Sequence, residues 1–223
     1  MRSSNEIEAL FAILRKSASP AAASAIETLS REGIDRDLCR VNALDFAAKR
    51  GLDEEEVIAA FLHSSRLGLF ELAWNVLCPG CGGVLDSGAT LKTVQHDEYT
   101  CMLCAAGYEP TLDEMVEVTF TISPTVRRIA AHDPQTLPAV EYYRQVFWGS
   151  GIDLPNDEAL YQTFQEITLD ALELPPGEKA SVSLQAPAGF LIVFDPVVHM
   201  AQFIEVKDEP TRERQTITAV LNK

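Results

Sequence analysis

Cys78-Pro79-Gly80-Cys81 and Cys101-Met102-Leu103-Cys104 are two Cys-x-x-Cys pairs with nineteen residues between them. Each pair has the length of a tight knuckle, and the interval leaves room for short strands and a turn. That spacing brings four thiolates to one tetrahedral ion. It predicts a zinc ribbon with Cys78, Cys81, Cys101 and Cys104 as the metal ligands and one structural zinc (Zn) as the cofactor; iron suits the same ligands. A closed four-cysteine site has no open position for a substrate or a reactive water. The expected chemistry is therefore architectural, with no catalytic residue and no enzyme activity. Pro79 stiffens the first knuckle, and Gly80, Gly82 and Gly83 let backbone N–H groups turn toward the sulfurs. Metal-coupled folding of such a site is worth ~10 kcal/mol or more. The alternatives are unligated thiols, a disulfide, or a thioredoxin-type redox pair. The last requires a single pair at a helix N-terminus, which the second matched pair argues against.

Upstream, the pattern is helical. Ile7, Leu10, Phe11 and Leu14 recur at helical spacing. Ser19 is placed to cap a helix with Pro20 at its first position and a stop near Gly33. Asn42 is placed to cap a helix through Lys49 with Gly51 as its stop. Asp53, with Glu56 three residues on, is placed to cap another that ends near Gly68. Leu69–Trp74 reads as a strand running into the first cysteine pair. Residues 1–77 are thus expected to form a winged-helix-like helical module, and 78–122 the zinc ribbon and a following strand. Within the ribbon, Thr90–Gln95 and Glu98–Thr100 are expected strands around a turn at His96-Asp97. Met115–Ile122 alternates Val116, Val118, Phe120 and Ile122 with polar residues and reads as a strand.

Downstream, Pro124, Pro134 and Pro138 break the chain before an expected helix at Pro138–Phe147, within a connecting segment 123–160. Tyr142, Tyr143, Phe147 and Trp148 are assigned to packing. Ile167–Leu172, Ala180–Gln185, Gly189–Phe194, Ala201–Val206 and Thr216–Leu221 are strand candidates, and predict a β-rich, sandwich-like module over 161–223. The expected fold class is α+β.

The net charge is −15, and it is uneven. Residues 1–77 hold nine Lys/Arg against twelve Asp/Glu, whereas residues 78–223 hold nine against twenty-one. An acidic surface repels phosphate backbones, so nucleic acid and anionic membranes are not expected as main partners. The second helix of the helix-turn-helix opens Asp53-Glu54-Glu55-Glu56, acids that suit the helix dipole and oppose DNA. Four of the five cysteines are in the pairs; Cys39 is left over, and an odd cysteine without a secretory signal points to a reducing cytoplasm. No apolar run reaches membrane-spanning length. A zinc deaminase needs His-x-Glu upstream of its Pro-Cys-x-x-Cys, and His63-Ser64-Ser65 lacks the glutamate. No nucleophile elbow, phosphate loop, metalloprotease helix or dinucleotide fingerprint is present. Asp113 and Glu114 are adjacent acids without a catalytic context. His63, His96, His132 and His199 are scattered, and each is assigned to a surface or structural role.

The stretch Asn42–Arg128 carries a more specific pattern. Phe61-Leu62-His63, Gly68-Leu69-Phe70-Glu71-Leu72-Ala73-Trp74-Asn75-Val76-Leu77-Cys78-Pro79-Gly80-Cys81, Tyr99-Thr100-Cys101-Met102-Leu103-Cys104 and Tyr108-Glu109-Pro110-Thr111-Leu112-Asp113-Glu114-Met115-Val116-Glu117-Val118-Thr119-Phe120 together resemble an uncharacterised bacterial domain. That domain is similar to the region preceding the catalytic domain in some bacterial class III adenylate/guanylate cyclases. The resemblance extends more loosely over the tail. It implies a regulatory or sensory module of a cyclic-nucleotide signalling protein, acting on an attached or partner cyclase, with a homodimer as one assembly. It implies no cyclase activity in these residues, and only the four cysteines transfer as binding residues. The chain is expected to be either part of a longer cyclase or a stand-alone regulator. The competing expectation is a transcription-factor-like nucleic-acid binder, since winged helices and ribbons recur there.

Overall fold

A computed structural model describes residues 2–93, 98–101, 103–109, 111–175, 177–195, 200–209 and 216–218. Its four long N-terminal helices start where side chains can satisfy free N–H groups. Ser3 and Glu6 close a reciprocal capping box at the start of α1 (Ser4–Ser17), which buries Phe11 and Leu14. Ser19 caps α2 (Pro20–Glu32), which buries Ala22, Ala23, Ile26 and Leu29. After a 3-10 turn, Asp35–Leu38, comes the short strand β1 (Val41–Asn42). Asn42 then caps α3 (Ala43–Arg50), and Gly51 closes that helix in the left-handed conformation, φ +62°. Asp53 accepts from the Glu56 N–H to open α4 (Glu54–Arg66), whose first turn holds three glutamates.

The strands β2 (Phe70–Leu77), β3 (Val84–Gly88), β4 (Tyr99–Cys101) and β5 (Ala106–Tyr108) follow, then the single turn α5 (Leu112–Met115) and β6 (Val116–Ile122). A four-stranded antiparallel sheet has the order β1-β6-β2-β3, and β4-β5 is a separate two-stranded hairpin. The register pairs Phe70 with Ile122, Leu72 with Phe120, Trp74 with Val118 and Val76 with Val116, which puts these residues on one face. Phe70, Phe120 and Ile122, with half-buried Leu72 and Val118, pack on the helices, whereas Trp74 and Val76 pack with Met115, Tyr99 and Tyr108. Phe61 of α4 sits at the centre, edge-on to Phe46 and Phe70 at 5.2 and 5.4 Å and stacked on Phe120 at 4.9 Å. The other face is more polar, and its centre is buried at Asn75 and Thr119. Buried Asn75 donates to Thr119 Oγ1 at 2.9 Å and accepts from Ser87 Oγ at 2.7 Å, which satisfies the amide.

Beyond β6 the chain returns through α6 (Ala139–Tyr142) into a π-helical turn, Tyr143–Phe147. The helix expected at Pro138–Phe147 is present as one run from Ala139 to Phe147, whose second half is widened where the Trp148 N–H reaches five residues back to Tyr143 O at 2.9 Å.

The chain divides into two compact units, Met1–Ile152 and Asp153–Lys223. β2 and β6, from two of the expected segments, are neighbours in one sheet of the first unit. The second unit holds α7 (Asp157–Ile167), capped by Asn156, and one antiparallel hairpin of β7 (Gly189–Asp195) with β8 (Met200–Val206). The expected five-stranded sandwich is corrected here. Ile167 ends a helix rather than opening a strand, and 168–172 and 180–185 are in no strand. Val182 and Leu184 are 44% and 42% exposed, so their alternation finds no face to bury. Residues 216–218 are not in a strand, and 219–221 lie outside the described residues. The fold class is α+β. Among the described residues no helix is long and apolar enough to cross a membrane.

Candidate metal centre

Both Cys-x-x-Cys pairs are hairpin turns. The first joins β2 to β3: Cys78 N–H donates to Gly83 O, and Gly82 N–H donates to Cys78 O, each at 2.8 Å. The reversal needs Gly82, whose φ is +68°. The second pair joins β4 to β5, and Cys104 N–H donates to Cys101 Sγ at 3.4 Å. Ala105 completes that turn at φ +50°.

The two turns face each other. Cys78 Sγ lies 3.7 Å from Cys104 Sγ, Cys81 Sγ lies 3.7 Å from Cys101 Sγ, and all four sulfurs fall within 4.8 Å of one another. All are free thiols, and a disulfide would need sulfurs ~2 Å apart. Cys78 and Cys101 are buried, whereas Cys81 and Cys104 reach the surface in part. Gly80 is a close-approach position: a Cβ there would stand 3.0 Å from both Cys104 Sγ and Tyr108 Oη.

Ionisation across the cluster is divided. Burial pushes the Cys78 thiol up, but backbone N–H groups of Cys81 and Gly80 outweigh it and bring it down to about 7. Burial raises Cys81 and Cys104, and neighbouring sulfurs add to the rise in both. Thiols this close resist sharing negative charge unless a cation sits among them. The Cys78 sulfur first, then burial, pushes the Tyr108 hydroxyl up to about 12.

The sequence reading placed the four cysteines together, and the fold does so. It did not single out β3, β5 or Tyr108. The signal for Tyr108 was its place opposite Tyr99, next to the second pair, once a hairpin at Cys101–Cys104 is drawn. Leu91–Thr93 is a 3-10 turn rather than part of a strand, and Val94, Gln95 and the His96-Asp97 turn lie outside the described residues, as does His199. Phe147, assigned to packing, is buried against the first turn, where a Cβ on Gly83 would meet its Cζ at 2.8 Å. His132 is structural: Nδ1 accepts from Ile129 N–H at 3.1 Å, so Nε2 donates to Ile122 O at 2.8 Å. His63 borders an open, largely apolar groove of about 420 Å³ between α4 and Leu72 of β2.

No curated protein and no solved structure matches the chain. Residues 4–223 match the model of DUF5939, described as a family of unknown function, and the chain belongs to that family.

Proposed function

We propose that the four cysteines hold one structural zinc in a zinc ribbon, and that the protein is a non-catalytic, cytoplasmic regulatory module. The observation that carries the metal reading is the pair of 3.7 Å sulfur–sulfur separations. Four sulfurs around zinc at ~2.3 Å form a tetrahedron with edges of about 3.8 Å. Two hairpin turns that meet knuckle to knuckle are the arrangement a ribbon needs. On this reading α3 and α4, with the β2–β3 hairpin behind them, are the winged-helix-like part. The acidic first turn of α4 favours a protein partner over nucleic acid. The resemblance of Asn42–Arg128 to the region before class III cyclase domains supports regulation of an attached or partner cyclase.

Elemental analysis of protein purified without added metal tests the ion: one zinc per chain is expected. Cys78→Ser and Cys104→Ser should each lose it, while Cys39→Ser keeps it. Retained stoichiometry in either ligand variant would refute the assignment. Titrating the protein into a class III cyclase catalytic domain tests the regulatory role, which fails if turnover is unchanged at saturation.

A further inference from the structure

Each cysteine turn presents one buried sulfur and one within reach of solvent. Cys78 and Cys101 are buried, whereas Cys81 and Cys104 are half-buried. The two 3.7 Å separations run between the turns, from Cys78 to Cys104 and from Cys81 to Cys101. Each therefore joins an accessible sulfur to a buried one. Closing either pair to the ~2 Å of a disulfide brings its sulfurs together by about 1.7 Å. An accessible thiolate with a second thiolate beside it is the arrangement of an oxidant-sensing cysteine pair. Here the fold supplies that arrangement twice.

We propose that the centre is a modification site for hydrogen peroxide, which converts its four thiolates into two disulfides between the turns, Cys78–Cys104 and Cys81–Cys101, and so frees the metal ion. The release of the ion rests on the four-thiolate reading above; the connectivity rests on the sulfur positions alone. The accessible sulfur of each pair, Cys104 or Cys81, attacks one peroxide oxygen. The O–O bond breaks, hydroxide leaves, and a sulfenic acid forms. The buried sulfur 3.7 Å away then attacks that sulfur; the S–S bond forms and a second hydroxide leaves. Two protons turn both hydroxides into water. Each disulfide thus passes two electrons to one peroxide, and the whole centre consumes two peroxides and four protons.

The four sulfurs lose their negative charge in these steps, so no anionic ligand remains for a divalent cation. The two turns stay joined, because each new bond crosses from one to the other and closes the chain between them. Disulfides within the turns, Cys78–Cys81 and Cys101–Cys104, would leave the turns without a covalent link. Cys39 takes no part, since its Sγ donates to Gln145 O outside the cluster. In a reducing compartment such bonds are transient, which suits a reversible signal.

Non-reducing peptide mapping of the zinc-loaded full chain after hydrogen peroxide treatment tests the proposal, with freed zinc followed by a chromophoric chelator. Tryptic cleavage after Lys92 separates the two turns, so disulfides between them leave the peptides linked, and disulfides within them do not. Linked peptides with Cys78–Cys104 and Cys81–Cys101 read by fragmentation, and one zinc freed per two disulfides formed, are expected. Separate peptides, the crossed connectivity Cys78–Cys101 with Cys81–Cys104, or sulfinic acid without disulfides would each overturn it. Disulfides formed with the zinc retained would overturn the release. In Cys81→Ser the Cys78–Cys104 bond should still form and Cys101 should remain alkylatable; a Cys101–Cys104 bond there would refute the pairing. Absence of bound zinc before oxidation would instead sink the metal reading, while the map still decides the connectivity.

Discussion

Arg40 and Glu117 form an ion pair between the turn before β1 and the middle strand β6, with side chains only 13% and 10% exposed. The pair does more than join two charges. Glu117 also accepts from Asn75 Nδ2 at 3.2 Å and from Ser150 N–H at 3.0 Å, and Arg40 holds two carbonyls of the returning segment. One buried carboxylate thus ties the sheet and the N-terminal part to the returning segment at Ser150.

Removing one partner of a buried pair leaves the other uncompensated, which costs ~3–5 kcal/mol. Glu117→Ala should lower unfolding free energy by about that amount in denaturant titration. Asp45→Ala, which breaks an exposed i,i+4 pair with Lys49, should cost no more than ~0.5 kcal/mol. Equal losses in the two variants would mean that the Glu117 network is solvated.

Tyr108→Phe removes a hydroxyl and no bulk. The phenol oxygen stands beside the cluster, where a Cβ on Gly80 would meet it and Cys104 Sγ each at 3.0 Å, and outer polar partners are worth roughly 10–100-fold in metal affinity. Competition with a chromophoric chelator should show at least about tenfold weaker zinc binding, with stoichiometry kept. An affinity equal to wild type would show that the hydroxyl only fills space.

The N-terminal helices were legible because their ends are written in local chemistry. Ser19, Asn42, Asp53 and Gly51 each act within one turn of their own position, so no tertiary knowledge was needed. The capping box closes at Ser3 and Glu6, which the apolar spacing of the first helix did not announce. The four ligands were legible because metal spacing is a local constraint too. The contact behind the first cysteine turn was not: Gly82 and Gly149 are far apart in sequence and meet through main-chain atoms, which leave no side-chain pattern to read. The tail misled because alternation in Ala180–Gln185 names a strand-like face without naming a neighbour, and the only ladder found there is β7 with β8 among the described residues.

Cys39 is the one thiol outside the cluster. Burial pushes it up to about 11, against a smaller downward pull from Arg40, and its Sγ donates to Gln145 O at 3.4 Å. The fold favours the neutral thiol. Its contribution is complete below the ordinary cysteine value of ~8.5 and is lost as pH climbs through about 11. Alkylation of zinc-loaded protein by iodoacetamide, read by mass at Cys39, should be slow at neutral pH and rise about tenfold per pH unit to pH ~10. A rate that levels off near pH 9 would mean an ordinary, accessible thiol.

Arg40 and Ala105 share a left-handed backbone, φ 49° and φ 50°, that non-glycine residues rarely adopt. They differ in what their side chains return. Arg40 makes the ion pair and the carbonyl contacts above, so glycine there would relieve strain and lose far more. Ala105 is exposed and has only a methyl group to lose. Left-handed geometry costs an L-residue ~1–2 kcal/mol, and the freedom of glycine in the unfolded chain returns ~0.4–1 of it. Ala105→Gly should therefore favour the closed second knuckle by about 0.5–1 kcal/mol, read as roughly two- to fivefold tighter zinc binding. Weaker binding in this variant would show that the turn after Cys104 gains more from a stiff backbone than it loses to strain.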